Sequence, residues 1–355
     1  MRVFVPLPHG TVAADWARRS ERGEVPDQSP YGLHHLRDHG LDVTFGDHCL
    51  TGPVGRVAQS LRYRTSGLEP VEALLDLRRM SRGKSDVVLA YDERTGVPAA
   101  SAVPRSRLAP VVTGIGWLTT RDAADPWQRR MASIALPRAA AVWTQCSAMV
   151  PVLAREWRVP PHRVHYVPLG IDTDFYPEQP WELATPTVAS AGEDRFRDHA
   201  LLVEAVRRAR DTVPAARLEL ATGLPVDLPD DLGTLYTGRM GGRMRDLYGR
   251  STVVAIALRP TRTGSGLTVV LEAMASGRPL VVTDNPGMSD YVEHGVTGLL
   301  VPPDDVEAFA EALRQLLADP DRARAMGAAA AERARAELTS AGMSAVLGRI
   351  LRAAA

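Results

Sequence analysis

The chain has 355 residues, 45% of them hydrophobic and 24% charged, which is the composition of a globular protein long enough for two domains. Its formal net charge is zero, so nucleic acid is not the expected partner. Two cysteines, Cys49 and Cys146, exclude a disulfide framework or a cysteine-built metal site. The sequence as given shows no signal-peptide pattern and no apolar run of membrane length, which sets the expectation of a reducing cytoplasm without membrane association.

The charge is unevenly placed. Residues 1–168 hold 22 Arg and Lys against 16 Asp and Glu, leaving +6 there and −6 in the remainder. Lys84 is the single lysine, so any held phosphate must be gripped by arginine and backbone N–H groups. A lysine Schiff base to pyridoxal phosphate would have to use Lys84, in a polar turn that does not suit it.

In chain order, "RVFVPL", "LDVTF", "DVVLAY", "PVVTGI", "AVWTQ" and "VHYVPL" read as strands. After about Pro186 follow "TVASAG", "RLELATG", "GTLYTG", "TVVAIAL", "PLVVTD" and "GLLVP". Helical spacing fills the intervals, as in "ALLVEAVRRARDTV" and "DVEAFAEALRQLLADP". Continuous apolar strands alternating with helices predict parallel sheets covered on both faces: two doubly wound, Rossmann-like α/β domains. The expected division is 1–168, 169–335 and a C-terminal helix over 336–355 packing back on the first domain. The proline- and acid-rich "VPLGIDTDFYPEQPWELATP" marks the boundary.

One stretch joins the patterns to chemistry. "TRTGSGLTVVLEAMASGRP" (residues 261–279) follows a strand and reads as a short apolar helix opening on Gly264, Ser265 and Gly266. Ser265 is the expected N-cap, leaving the N–H groups of Gly266, Leu267 and Thr268 unpaired at the positive end of the helix dipole, an arrangement that binds anions. Glu272, the helix's one charge, would reach hydroxyls a few ångströms from such an anion. Gly277 is the expected C′ residue. Taken alone, the stretch is equally consistent with a capped helix carrying an exposed glutamate.

The run from Pro260 through "SGLTVVLEAMASGRPLVVTDNPGMSDYVEHGVTGLLVPPDDVEAFAEAL" resembles the donor region of the retaining GT-B glycosyltransferases of group 1, the family 4-like enzymes. The resemblance reaches back through "LYTGRMGGRMRDLYGRS", "VASAGEDRFRDHALLVEAV" and "VPLGIDTDFYP", covering nearly all of residues 140–335. The first 130 residues match in architecture only.

This resemblance implies a GT-B fold with an interdomain cleft, a nucleotide diphosphate sugar as donor, and transfer to a hydroxyl acceptor with retention and no metal or other cofactor. It places the diphosphate on Gly264, Ser265, Gly266, Leu267 and Thr268, the nucleotide ribose on Glu272, and the base against Gly238, Arg239 and Met240. Two departures stand out. The family's first glutamate of an E-x(7)-E pair falls here on Gly264, and its arginine–lysine phosphate pair has no simple match, Arg197 or Arg195 being the nearest cation. Catalytic roles are therefore expected of Arg197 and Glu272.

His9, at the end of the first strand, is a further candidate for proton transfer, although a surface histidine would read the same, and its neighbour Gly10 is expected at the donor edge. Acceptor binding is expected of His9, Asp27, Gln28, Gly116 and Trp117, with a soluble small molecule or saccharide as acceptor and UDP or GDP as the nucleotide. The oligomeric state is left open. "DTD" (Asp172 and Asp174) reads as a fixed linker rather than a metal pair, "GIG" at 114–116 lacks a dinucleotide spacing, and His34–His35 reads as a helix face. Two rival readings are a nucleotide-sugar epimerase or hydrolase and a non-catalytic sugar-nucleotide binding subunit.

Overall fold

Each of the twelve runs read from the sequence as strands is short, and each forms one. The computed structural model describes residues 1–102, 105–181, 185–238 and 240–355. The chain divides into two compact units. Unit 1 comprises Met1–Arg22, Asp27–Pro168 and Ser340–Ala355; unit 2 comprises Gly23–Pro26 and Leu169–Thr339.

Unit 1 carries β1 (Arg2–Pro6), β2 (Asp42–Gly46), β3 (Val87–Ala90), β4 (Val111–Ile115), β5 (Ala141–Thr144) and β6 (Val164–Tyr166). They form one parallel sheet in the order β2-β1-β3-β4-β5-β6. Its helices are α1 (Ala13–Glu21), α2 (Gly52–Arg64), α3 (Pro70–Leu75), α4 (Glu93–Ser101), α5 (Pro126–Ala135) and α6 (Val150–Arg155). Helix α1 buries no residue, as its polar sequence requires.

Unit 2 carries β7 (Thr187–Ala191), β8 (Arg217–Ala221), β9 (Gly233–Tyr236), β10 (Val253–Ile256), β11 (Leu280–Thr283) and β12 (Gly298–Val301), also all parallel, in the order β12-β11-β10-β7-β8-β9. Its helices are α7 (His199–Ala209), α8 (Met244–Gly249), α9 (Leu267–Ala275), α10 (Val306–Ala318) and α11 (Pro320–Glu337). The last helix, α12 (Ser340–Ala354), belongs to unit 1.

Both faces of the unit 2 sheet are covered, and β10 shows how. Val254 and Ile256 join one apolar cluster with α9, while Val253 and Ala255 join another with α7 and α10. A strand alternates its side chains with period two, so a strand buried on both faces must be apolar at every position. Each fully buried valine or isoleucine contributes about 1.5–3 kcal/mol of transfer free energy.

The strand orders fix where ligands can bind. In unit 2 the order reverses between β7 and β10, and in unit 1 between β1 and β3. At such switch points the loops leaving the carboxyl ends of two neighbouring strands run in opposite directions and open a crevice. The loops concerned carry Gly192–Arg197 and Gly264–Thr268 in unit 2, and His9–Gly10 and Tyr91–Arg94 in unit 1.

Candidate functional site

At the unit 2 switch point the chain enters α9 through a glycine turn. Gly266 is the N-cap residue, at φ 85° and ψ −14°, and no side chain caps the helix. This corrects the expected role of Ser265. A serine N-cap needs an extended backbone, whereas here the entry is left-handed, a conformation that costs an ordinary residue about 1–2 kcal/mol. Ser265 instead donates its Oγ proton to Asp194 Oδ1 at 2.8 Å.

The turn is closed by the Leu267 N–H donating to the Gly264 carbonyl at 3.3 Å, and the first helical bond runs from Val270 N to Gly266 O at 3.0 Å. Leu267 is buried and its side chain is core, whereas Thr268 is exposed, so the helix start offers backbone donors and one hydroxyl. At the other end Gly277 takes φ 72°, with Gly277 N bonded to Met274 O and Arg278 N to Ala273 O. That is a complete Schellman closure.

Arg197 arrives from the loop after β7. It is 8% exposed, and its Nε donates to Asp194 Oδ2 at 2.8 Å. Asp194 thereby ties Arg197 to Ser265. The Nη1 atom of Arg197 is buried with no hydrogen-bond partner among the described residues, and it would lie 3.6 Å from a Cβ placed on Gly266. Burial pulls the Arg197 pKa down, opposed mainly by Asp194. Gly192, at φ 144°, makes room: a Cβ there would overlap the guanidinium. Arg195 is exposed and stacks over Phe196, so Arg197 is the cation that turns inward.

Glu272, half-buried on α9, accepts from the Tyr176 hydroxyl at 2.8 Å and from the Tyr248 hydroxyl at 2.5 Å, one on each carboxylate oxygen. Burial raises its pKa, while the two hydroxyls and Arg197 work against the rise. Each oxygen keeps a further lone pair. Of the residues expected to meet a base, Gly238 is exposed, Met240 packs against the core cluster around α9, and Arg239 lies outside the described residues.

The unit 1 switch point has the opposite character. The His9 N–H donates to both oxygens of Glu69, at 3.1 and 3.0 Å. The ring Nδ1 of His9 lies 3.5 Å from Glu72 Oε1, and Glu72 is paired with Arg62. Asp76 completes the group, 3.1 Å from His48 Nε2. All three acids are at most 3% exposed. Burial lowers the His9 pKa, helped by Arg62, so the ring is neutral at pH 7. Burial pushes Glu69 up to about 7. Gly10 is exposed at φ 79° and bonded to His48 O.

The other expected acceptor residues lie on other loops of unit 1. The N–H groups of Gly116 and Trp117 both donate to the buried Glu93 at 2.8 Å, which fixes the loop after β4 and leaves the Trp117 ring 45% exposed. Asp27 and Gln28 precede Pro30–His39, a 3-10 segment broken at Tyr31 and Gly32. A cavity of about 770 Å³ lined by Arg82, Arg138 and His165 opens at the amino edge of the unit 1 sheet and holds none of these residues.

The comparisons with known proteins fall on both units. A model described as glycosyl transferases group 1 matches residues 185–319, and one described as glycosyltransferase family 4 matches residues 33–175. The chain belongs to the group 1, family 4-like glycosyltransferases. It is 30% identical to a D-inositol 3-phosphate glycosyltransferase of Gordonia bronchialis over 196 residues, which is 47% of this chain and 42% of that one. It is 32% identical to a GDP-mannose-dependent alpha-(1-6)-phosphatidylinositol monomannoside mannosyltransferase of Mycobacterium tuberculosis over 200 residues, 49% of this chain and 51% of that one. The matches thus span about half the length of these curated relatives or less. Among solved structures, the sucrose-phosphate synthase of Thermosynechococcus elongatus shares the fold, with a TM-score of 0.72 at 17% identity over 99% of this chain and 98% of that one.

Several supporting residues gave no sequence signal. Asp194 and Gly192 act through Arg197, and only the fold shows that Arg197 turns inward. Tyr176 lies in the linker motif "GIDTDFYP" and Tyr248 on α8, 96 and 24 residues from the Glu272 they bind. In the same linker Asp172 accepts from the N–H groups of Asp174 and Phe175 at 3.0 Å, the fixing role its position suggested.

Proposed function

We propose that the chain transfers a sugar from a nucleoside diphosphate sugar, UDP- or GDP-linked, to a hydroxyl acceptor with retention of anomeric configuration. The observation that carries this reading is the buried, unpartnered Nη1 of Arg197 beside the uncapped start of α9. A buried arginine donor left unsatisfied costs about 1–3 kcal/mol or more, which an anion seated there repays. The backbone N–H groups at the start of α9 add a fixed positive potential at the same place.

In the transfer, the bond between the anomeric carbon and the diphosphate oxygen breaks, and negative charge grows on the leaving diphosphate. Arg197 and the N–H groups of the turn 264–268 stabilise that charge. One such preorganised donor is typically worth about 3–4 kcal/mol of barrier. The acceptor hydroxyl attacks from the face the diphosphate leaves, and its proton passes to a leaving-group oxygen, so retention follows without a protein nucleophile. Glu272, oriented by Tyr176 and Tyr248, accepts hydrogen bonds from the ribose hydroxyls, and Gly238, Arg239 and Met240 border the base. His9, Asp27, Gln28, Gly116 and Trp117 line the acceptor side. Neither metal nor other cofactor enters this step.

The test is incubation with a panel of UDP- and GDP-sugars and of soluble acceptors. Because relatives are named for D-inositol 3-phosphate and GDP-mannose, inositol phosphates and GDP-mannose head the panel. A glycosylated product whose anomeric configuration by NMR matches the donor supports the proposal. Free sugar released without acceptor supports a hydrolase instead. Tight donor binding with no turnover supports a binding subunit, the reading favoured by Gly264 in place of the family's first glutamate.

A further inference from the structure

The loop that enters unit 1 gathers two imidazoles and a carboxylate, the carboxylate being that of Asp27, which is also assigned above to the acceptor side. Asp27, His34 and His35 each offer a ligand atom, and the three atoms lie within 4.8 Å of one another, the one such group of three among the described residues. The His34 and His35 rings lie close together, their centroids 4.0 Å apart and their planes tilted by 36°. We propose that Asp27, His34 and His35 form a binding site for a divalent transition-metal ion of the Zn²⁺ class, with a structural role.

The backbone is bent to assemble the group. Asp27, Tyr31 and Gly32 all take left-handed conformations, at φ 59°, 61° and 67°. Two of these are not glycine, and such residues persist only where their surroundings over-determine them. The Asp27 side chain is 9% exposed, and its Oδ1 lies 3.6 Å from His35 Nε2. The other ring nitrogen of His35, Nδ1, is 3.0 Å from Asp38 Oδ2. A carboxylate holding one imidazole nitrogen while the other faces the ion is the usual support of a metal-binding histidine. On the far side Ser340, the first residue of α12, donates to Asp27 Oδ2 at 2.8 Å. Gly32 permits that approach, because a Cβ there would meet Ser340 Cβ at 2.6 Å and Asp27 Oδ2 at 3.0 Å.

The donor set selects the ion. Two imidazoles and one carboxylate suit Zn²⁺ or its neighbours, whereas Mg²⁺ and Ca²⁺ take all-oxygen sets. Two neutral imidazoles with the carboxylates of Asp27 and Asp38 carry two negative charges, which one divalent ion balances. Metal–ligand distances of about 2.0–2.2 Å place tetrahedral ligands roughly 3.4 Å apart, so the three ligand atoms, which lie within 4.8 Å of one another, would draw together on binding. Three protein ligands leave one position for water. Bound there, the ion would cross-link the entry loop to the 3-10 segment and, through Ser340, to α12.

The experiment titrates Zn²⁺ into the metal-stripped full chain by calorimetry, with the thermal midpoint as second readout. One equivalent of Zn²⁺ should bind and raise the midpoint, with Mg²⁺ producing neither effect. His34→Ala/His35→Ala should abolish binding, and His162→Ala, a surface histidine outside the group, should leave it unchanged. Should the double variant fail to fold, Asp38→Asn, at a 70% exposed side chain, decides the matter by weakening Zn²⁺ affinity about 10–100-fold. Absence of stoichiometric binding, or binding undiminished in either variant, overturns the proposal.

Discussion

The two switch points share a topology and differ in electrostatics. In unit 2 the strands end on a glycine turn, a helix start and a buried arginine with one unpartnered nitrogen. In unit 1 the equivalent strand ends meet three buried acids around His9 and His48. The same sheet edge therefore presents a backbone-lined helix start with a buried guanidinium in one unit and a cluster of buried carboxyl groups and imidazoles in the other. The contrast teaches that the doubly wound fold supplies the place, while a handful of loop residues decide which charge it accepts.

The largest expected effect breaks the unit 2 side. Arg197→Gln should lower kcat/KM for transfer by about 10²–10³-fold, because it removes a preorganised donor to the leaving group. Steady-state kinetics with the best donor of the panel measures it, and circular dichroism checks the fold. Glu272→Gln comes next. Loss of a charged hydrogen-bond acceptor is worth about 1.5–3 kcal/mol, so nucleotide-sugar affinity should fall roughly 10–100-fold in calorimetry.

On the unit 1 side the expected signature is in pH. Glu69 is pushed up to about 7, so its carboxyl is protonated in the folded state where the unfolded chain has already lost the proton. A raised carboxyl pKa makes stability fall as pH rises from about 4.5 to about 7, with the cost fully present above that window, on the order of 3 kcal/mol. Glu69→Gln should flatten that part of the profile of thermal midpoint against pH. The smallest effect sharpens the turn: Gly266→Ala, at φ 85°, should cost about 1–2 kcal/mol in chemical denaturation while weakening nucleotide binding.

How far the sequence could be read follows from where the determinants lie. Strands such as Val253–Ile256 are continuous apolar runs, so their existence and their burial on both faces were legible. The glycine turn and Glu272 were legible because they are contiguous on one helix. Ser265 misled, since propensity favours serine at an N-cap, but the left-handed Gly266 takes that position and Asp194 claims the hydroxyl. The ring of His9, His48, Glu69, Glu72 and Asp76 was mostly hidden. It is assembled from three separate segments, and buried acids look like any solvated charge until the fold encloses them. Asp27, His34 and His35 were hidden for a related reason: Asp27 lies seven residues before His34, and the left-handed residues at Asp27, Tyr31 and Gly32 that bend the chain back between them leave no periodic signal.

The central claim is that the start of α9 and Arg197 together seat a diphosphate. The most direct measurement is calorimetric titration of UDP and GDP into the wild-type chain and into Arg197→Gln. The account predicts saturable binding of at least one of the two nucleotides to the wild type, weakened by about 100-fold or more in the variant. Equal affinity in the two proteins would contradict it.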